Sequence, residues 1–266
     1  MKIDNILVVY DPTTADQPAL NRAAVIAEAE GSKVHVYSCI HSDTSSIVDE
    51  QEAVTAQEAT LAEAIKPLQD KGIAVSTEVE WDKDWYQAVV KAVERNGSEA
   101  VLKSSHRHSK GQRRLNKTSD WTLIRDCACP VLLVKSEANR DHRKVLAAID
   151  ISGNKEVYGE LNDNILSFCK RYIGTENADV DFINAHSDLA GRPDRGTLIR
   201  TCGVDASRVH ISMGDPDDVI VAKAEELGVN LVVIGNSARS GLSALMNTNT
   251  AEKVLDKLDC DLLALT

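Results

Sequence analysis

Aromatic side chains are scarce in this chain of 266 residues, with two Phe, five Tyr and three Trp. So few rings leave little for a base-stacking platform of the kind that single-strand nucleic-acid binders use. Basic residues are outnumbered, 30 Lys and Arg against 41 Asp and Glu, which gives a formal net charge of −11. A surface that acidic repels phosphate backbones and anionic lipid, so neither nucleic acid nor a membrane surface is an expected partner. Long apolar runs are missing as well. The longest, such as Ile6 to Tyr10, hold about five residues against the roughly twenty of a membrane span. The opening Met1-Lys2-Ile3-Asp4-Asn5 has no apolar h-region and no cleavage site, so no secretory signal is expected.

The six cysteines, Cys39, Cys127, Cys129, Cys169, Cys202 and Cys260, include no CxxC pair. Their spacing fits neither a disulfide framework nor a zinc site, and they read as small core hydrophobes. A reducing cytoplasmic location follows. Several catalytic signatures are absent. There is no GxxxxGK[ST] phosphate loop, no GxGxxG after a strand and no GxSxG elbow. The expectation is therefore a protein without catalytic residues and without a resident metal.

What is present is an ordinary globular balance, 43% hydrophobic and 27% charged, in a chain long enough for two domains. The chain also repeats itself. Ile6-Leu7-Val8-Val9-Tyr10-Asp11 reads as a buried strand closed by an acid, and so does Val145-Leu146-Ala147-Ala148-Ile149-Asp150. Glu99-Ala100-Val101-Leu102, closed by Lys103, is echoed by Leu231-Val232-Val233-Ile234, closed by Gly235. Cys129-Pro130-Val131-Leu132-Leu133-Val134 is echoed by Cys260-Asp261-Leu262-Leu263-Ala264-Leu265. The offset shrinks from 139 at the first pair to 131 at the last, so the second copy has lost material internally.

In each copy, short Val/Ile/Leu runs alternate with longer segments whose apolar residues recur at three and four. Strands are expected near 4–10, 33–40, 74–80, 99–102 and 131–135, then near 143–149, 179–185, 207–213, 230–235 and 261–265. Helices are expected within Gln17 to Glu30, Ser46 to Gln69 and Trp85 to Arg95, with Gly31, Gly72 and Gly97 as left-handed C-caps. The counterpart of the second helix, within Pro193 to Cys202, is much shorter. Continuous rather than alternating apolar strands imply a parallel sheet covered on both faces. The fold class is thus α/β, two tandem open five-stranded parallel sheets. Domains of 1–138 and 139–266 meet at the polar stretch Ser136 to Arg143. Trp81, Trp85 and Trp121 read as packing residues at helix starts, and Asp215-Pro216-Asp217-Asp218 as a helix N-terminus.

In open parallel sheets a ligand sits beyond the carboxyl ends of the strands, where strand order reverses. The residues to inspect are those after the first and fourth strand of each copy. In the second copy these are Asp150 and the run Gly235, Asn236, Ser237, Arg239, Gly241. Asn249 and Thr250 follow, where a helix begins. Small residues let backbone N–H groups approach a phosphate, and a helix N-terminus adds oriented donors. The same residues also suit a plain loop and an N-cap. In the first copy the positions are Asp11, Lys103 and His106. They lead into a basic loop, His106-Arg107-His108-Ser109-Lys110-Gly111-Gln112-Arg113-Arg114, which suits an anion or simply solvent.

Three stretches together resemble the universal stress protein family. They are Asn5 to Pro12 with Asp16 to Leu20, then Asp120-Trp121-Thr122-Leu123-Ile124-Arg125, then Arg239 to Ser243 with Asn249 to Val254. The resemblance covers essentially the whole chain as a tandem pair and is nearest to the family's tandem, E-type branch. It implies a Rossmann-like sheet order of 3-2-1-4-5 in each half. It also implies halves that pair through their last strands, an intramolecular pseudo-dimer, with a homodimer as a further option. Some members bind ATP through Gly-two residues-Gly-nine residues-Gly-Ser/Thr after the fourth strand. On that pattern the second copy has Gly235, Ala238, Thr248 and Asn249, one glycine of three. The first copy has Lys103, His106, Asn116 and Lys117 and no glycine. Added Cβ atoms obstruct the close backbone approach for which glycine is used. Asp11 and Asp150 match the family's acid at the end of the first strand.

The leading expectation is a stress-response binding or signalling module with a degenerate nucleotide site and no required cofactor. A nucleotide switch or weak ATPase, taking ATP or AMP in the second copy alone, is the alternative. A third reading is a sensor of a small anionic or apolar ligand near His106 or Gly235. Protein partners are not specified by the sequence.

Overall fold

The first buried run forms β1 (Asn5–Val9), and its neighbours follow in the alternation the sequence implies. The computed structural model describes residues 3–105, 113–135, 144–151, 155–176, 178–189, 191–236 and 250–266. The chain divides into two compact units, Met1–Glu137 and Ala138–Thr266.

The first unit runs β1, α1 (Pro18–Glu30), β2 (Lys33–Ile40), α2 (Glu50–Ala64), α3 (Lys66–Asp70), β3 (Val75–Trp81), α4 (Trp85–Asn96), β4 (Ala100–Ser104), α5 (Arg113–Asp126) and β5 (Val131–Val134). Its strands are parallel in the order β3-β2-β1-β4-β5. The second unit runs β6 (Lys144–Ala148), α6 (Lys155–Glu176), β7 (Asp179–His186), α7 (Arg195–Cys202), β8 (Val209–Met213), α8 (Pro216–Leu227), β9 (Leu231–Gly235), α9 (Thr250–Lys257) and β10 (Asp261–Leu265). Its order is β8-β7-β6-β9-β10, the same pattern. The 3-2-1-4-5 arrangement implied by the resemblance is therefore found in each unit.

Strands β1, β4, β5 and β9 are buried along almost their whole length, as continuous apolar runs imply. Helix α1 packs on β1, β2 and β4, and α2 on β2 and β3, while α4 packs on β2 and against α5. Gly31, Gly72 and Gly97 all take positive φ, at 74°, 76° and 59°. At Gly31 the left-handed turn lets its N–H reach the Ala27 carbonyl at 2.8 Å and close α1.

Three details depart from the sequence reading. The expected helix Ser46 to Gln69 is two helices. It starts at Glu50 behind Asp49, whose carboxylate accepts from the Glu52 N–H at 2.9 Å, and it breaks at Ile65. Pro67 near the start of α3 lacks the N–H that would carry the ladder through. Of the three tryptophans only Trp85 opens a helix; Trp81 closes β3 and Trp121 lies inside α5. The second unit's loss is concentrated in α7, with 8 residues against 15 in α2, while α6 has 22 residues against 13 in α1. Among the described residues no helix is long and apolar enough to cross a membrane.

Candidate functional site

The carboxyl end of the first strand in each unit is held by the same device. In the first unit the Gln17 amide grips Asp11. Its Nε2 donates to the Asp11 carbonyl at 2.7 Å, and its Oε1 accepts from the Asp11 N–H at 3.2 Å. In the second unit Asn162 does this to Asp150. Nδ2 donates to the Asp150 carbonyl at 2.6 Å and Oδ1 accepts from its N–H at 3.2 Å. Both acids are thereby fixed at the strand end. The Asp11 carboxylate is itself occupied, since its Oδ1 accepts from the Thr13 N–H at 2.8 Å and from the Thr13 hydroxyl at 2.6 Å.

The fourth-strand positions require a correction. Lys103 aligns with Gly235 when the apparent strand ends are matched, but the ladders say otherwise. Ile6 pairs with Ala100, and its counterpart Val145 pairs with Leu231. Counting on from there sets Lys103 against Ile234 and Ser104 against Gly235. Strand β4 continues through Ser104 rather than ending near Lys103. The glycine-pattern positions of the first copy thus move one residue on, to Ser104, Arg107, Lys117 and Thr118, still without a glycine.

Successive strand residues face opposite sides of a sheet, so this shift changes which face each side chain meets. The Ser104 hydroxyl accepts from the Ala19 N–H of α1 at 3.1 Å. On the matching face of the second unit, a Cβ added to Gly235 would lie 3.2 Å from the Leu161 Cβ of α6. Close approach of a helix therefore accounts for Gly235. Beyond the strands, the Ser105 N–H is bonded to the Val134 carbonyl at 2.8 Å, and the Asn236 N–H to the Leu265 carbonyl at 2.7 Å.

Lys103 faces the other way, toward α4 and α5. Its ammonium lies 2.7 Å from Asp120 Oδ1, with side chains only 14% and 7% exposed. The contact is an ion pair without hydrogen-bond alignment at that oxygen. The ammonium also donates to the Ser104 carbonyl at 3.0 Å and lies 5.5 Å from the centre of the Trp85 ring. The Ser105 hydroxyl donates to the other Asp120 oxygen at 2.8 Å. Lys103 is thus engaged within the protein. In the second unit the strand ladders put Ile234 at the place of Lys103, and the constant offset of 131 puts Ala251 at the place of Asp120. Both are buried. One unit has a buried ion pair where the other has two apolar side chains.

His106, Ser237, Arg239, Gly241 and Asn249 lie outside the described residues, as do Ala238 and Thr248 of the glycine pattern. Thr250 opens α9 and is exposed. All six cysteines are buried. Burial pushes the thiols of Cys39, Cys169 and Cys202 up to about 12, which makes them poor nucleophiles. Among the described residues no group of three or more His, Cys, Asp or Glu is placed to hold a metal ion.

A second polar cluster, which sequence reasoning missed, sits on the outer strands. In the first unit His35 of β2 reaches Ser76 and Glu78 of β3, at 2.8 and 2.9 Å. In the second unit His210 of β8 reaches Asp181 of β7 at 2.8 Å. The registers place Asp181 where His35 stands and His210 where Glu78 stands, so the two partners have changed places.

Comparison with known proteins completes the picture. The model of the family described as "Universal stress protein family" matches residues 2–135 and 197–266. Universal stress protein E of Photorhabdus laumondii is 28% identical over 98% of this chain and 94% of its own length. The protein of that name in Escherichia coli K12 is 27% identical over 98% and 93%. A crystal structure of a universal stress protein from Pseudomonas aeruginosa UCBPP-PA14 superposes with a TM-score of 0.82 at 29% identity, covering 99% of this chain and 93% of that one. One from Archaeoglobus fulgidus, at 18% identity and a TM-score of 0.79, shares the fold over 98% of this chain and 96% of its own.

Proposed function

The chain belongs to the universal stress protein family, and from that premise we propose that it is a non-catalytic binding and signalling module of the stress response. In this reading the nucleotide cradles of both units are degenerate. The observation that carries it is the fate of the fourth-strand glycine. In the first unit it is Ser104, whose hydroxyl is spent on the first turn of α1. In the second it survives as Gly235, where contact with Leu161 of α6 is reason enough for it. A cradle for phosphates needs converging backbone N–H groups that are free to turn toward an anion. The N–H groups of Ser105 and Asn236 are committed to the last strand of their own unit.

No step of bond making or breaking is assigned to these strand ends. Asp11 is tied to Thr13, Lys103 to Asp120, and the thiols of Cys39, Cys169 and Cys202 are held protonated by burial. The module is placed in the cytoplasm, with protein partners or a small non-nucleotide ligand as its readout. Native mass spectrometry of the protein purified from its own cells tests the reading. It expects no nucleotide adduct. A stoichiometric ATP or AMP adduct would overturn it and favour a nucleotide switch confined to the second unit.

A further inference from the structure

Ser76, His35 and Glu78 form a hydrogen-bonded chain on the outer side of the first unit. The polarity of that chain can be deduced. Glu78 accepts from Arg95 and, at 3.2 Å, from the Asn96 amide. Burial works against its ionisation, but Asn96, Arg95 and His35 together hold the carboxyl below its ordinary range. An ionised carboxylate only accepts hydrogen bonds. The Nε2 of His35, 2.9 Å from Glu78, must then carry the proton. In the neutral ring that leaves the lone pair on Nδ1, and Nδ1 faces the Ser76 hydroxyl at 2.8 Å. A carboxylate orients an imidazole, and the imidazole takes the proton of a serine. That is the connectivity of an activated nucleophile, in which the base is itself positioned by a third group.

Two further features bear on access. Ser76 is exposed, whereas His35 and Glu78 are largely covered. Strand β3 pairs with β2 alone among the described strands. The Val34 N–H bonds to Ala74 and the Asp82 N–H to Ile40. Alternate residues of a parallel strand bond to one neighbour, so the N–H of Thr77, next to Ser76, faces the open edge.

We propose that Ser76 is an acyl-acceptor site, activated by His35 as general base and oriented by Glu78, for small activated acyl donors. This goes beyond the reading of the strand ends and does not depend on it. In the transfer, Ser76 Oγ attacks the acyl carbon and its proton passes to His35 Nδ1. The bond to the leaving group then breaks, and the leaving group departs with the electron pair. By the same alternation the Val75 N–H also faces that edge, so the backbone donors flanking the serine are those of Val75 and Thr77. The seryl ester formed is a far less activated acyl donor than the reagent that makes it, so the acyl group outlasts the transfer and the site acts by carrying a modification rather than by turnover. The second unit supplies the contrast. Its His–carboxylate pair persists, but the register sets Arg208 at the place of Ser76, and Arg208 pairs with Asp179 and Asp181. The pair alone serves as a staple between strands, and only the first unit adds a nucleophile to it.

The test uses the full chain and p-nitrophenyl acetate. The proposal expects a burst of one p-nitrophenolate per chain, with acetyl found on Ser76 by peptide mass spectrometry. Ser76→Ala removes the burst. Glu78→Gln keeps the hydroxyl and the shape but removes the anion that orients the ring, and should slow the burst by about 10² or more. Acetylation confined to lysines or the N-terminal amine, unchanged in Ser76→Ala, overturns the proposal. So does a Ser76 that acetylates equally fast in a folded Glu78→Gln variant, since it would then be merely exposed.

Discussion

Replacing Lys103 with Ile copies into the first unit what the second unit has at Ile234. The ammonium is 2.7 Å from Asp120 Oδ1, and both side chains are largely covered. Removing one member of such a pair strands the other charge, which costs about 3–5 kcal/mol. The Ser105 hydroxyl still donates to Asp120, so the lower end of that range is expected. Asp120→Ala alone leaves a covered ammonium and should cost a similar amount. The double variant Lys103→Ile with Asp120→Ala reproduces the Ile234 and Ala251 pair, and apolar replacement of a buried ion pair is often neutral or stabilising. Besides the ammonium's contacts with the Ser104 carbonyl and the Trp85 ring, it loses the Ser105 hydrogen bond, about 1 kcal/mol. Urea unfolding followed by circular dichroism and tryptophan fluorescence, with each unit's transition fitted separately, gives the four stabilities of the cycle. The expected coupling is at least about 3 kcal/mol, with the double variant nearer wild type than either single one. Single costs under about 1 kcal/mol, as for a surface pair, or purely additive losses would refute the reasoning.

Other outcomes follow from the same geometry. Gly235→Ala drives a Cβ toward Leu161 and should cost about 1–3 kcal/mol in the second unit, read by urea denaturation. Ser104→Ala removes the acceptor for the Ala19 N–H and should cost the first unit about 1 kcal/mol, read the same way. The thiols should not react with a chromogenic disulfide at pH 8 in the native protein, and all six should react in denaturant. At Asp217, burial opposes ionisation, but the hydrogen bond from Lys257 and the charges of Lys257 and Lys253 win and hold the carboxyl below its ordinary range. Its folded value lies below its unfolded one, so it contributes stability above the usual carboxylate range and loses it as pH falls through the folded value. The gap between wild type and Asp217→Asn should therefore be widest near neutrality and close below about pH 4.

The fold was largely legible in the residues because buried parallel strands leave unbroken apolar runs. Ile6 to Val9, Val131 to Val134 and Leu231 to Ile234 could hardly be anything else. The order of the strands came with the family resemblance. Where reading failed, the reason was local. Lys103 looked like the end of a strand because it is charged, yet its ammonium is neutralised inside the fold and the strand runs on. The offset of 131 between Cys129 and Cys260, carried back along the chain, was the signal that sets Ser104 against Gly235. The break at Ile65 was announced by Pro67 and passed over. The amide clamps were illegible, because Gln17 lies 6 residues from Asp11 and Asn162 lies 12 from Asp150. Nothing in one dimension marks them as the same device. The ion pair of Lys103 with Asp120, and the exchanged histidine and carboxylate of the outer strands, likewise exist only once strands are set side by side.

The direct test of degenerate cradles is calorimetric titration of ATP into the full chain at millimolar nucleotide. The account predicts no heat beyond dilution. Saturable binding that is weakened by Asp150→Lys or Asp11→Lys would contradict it.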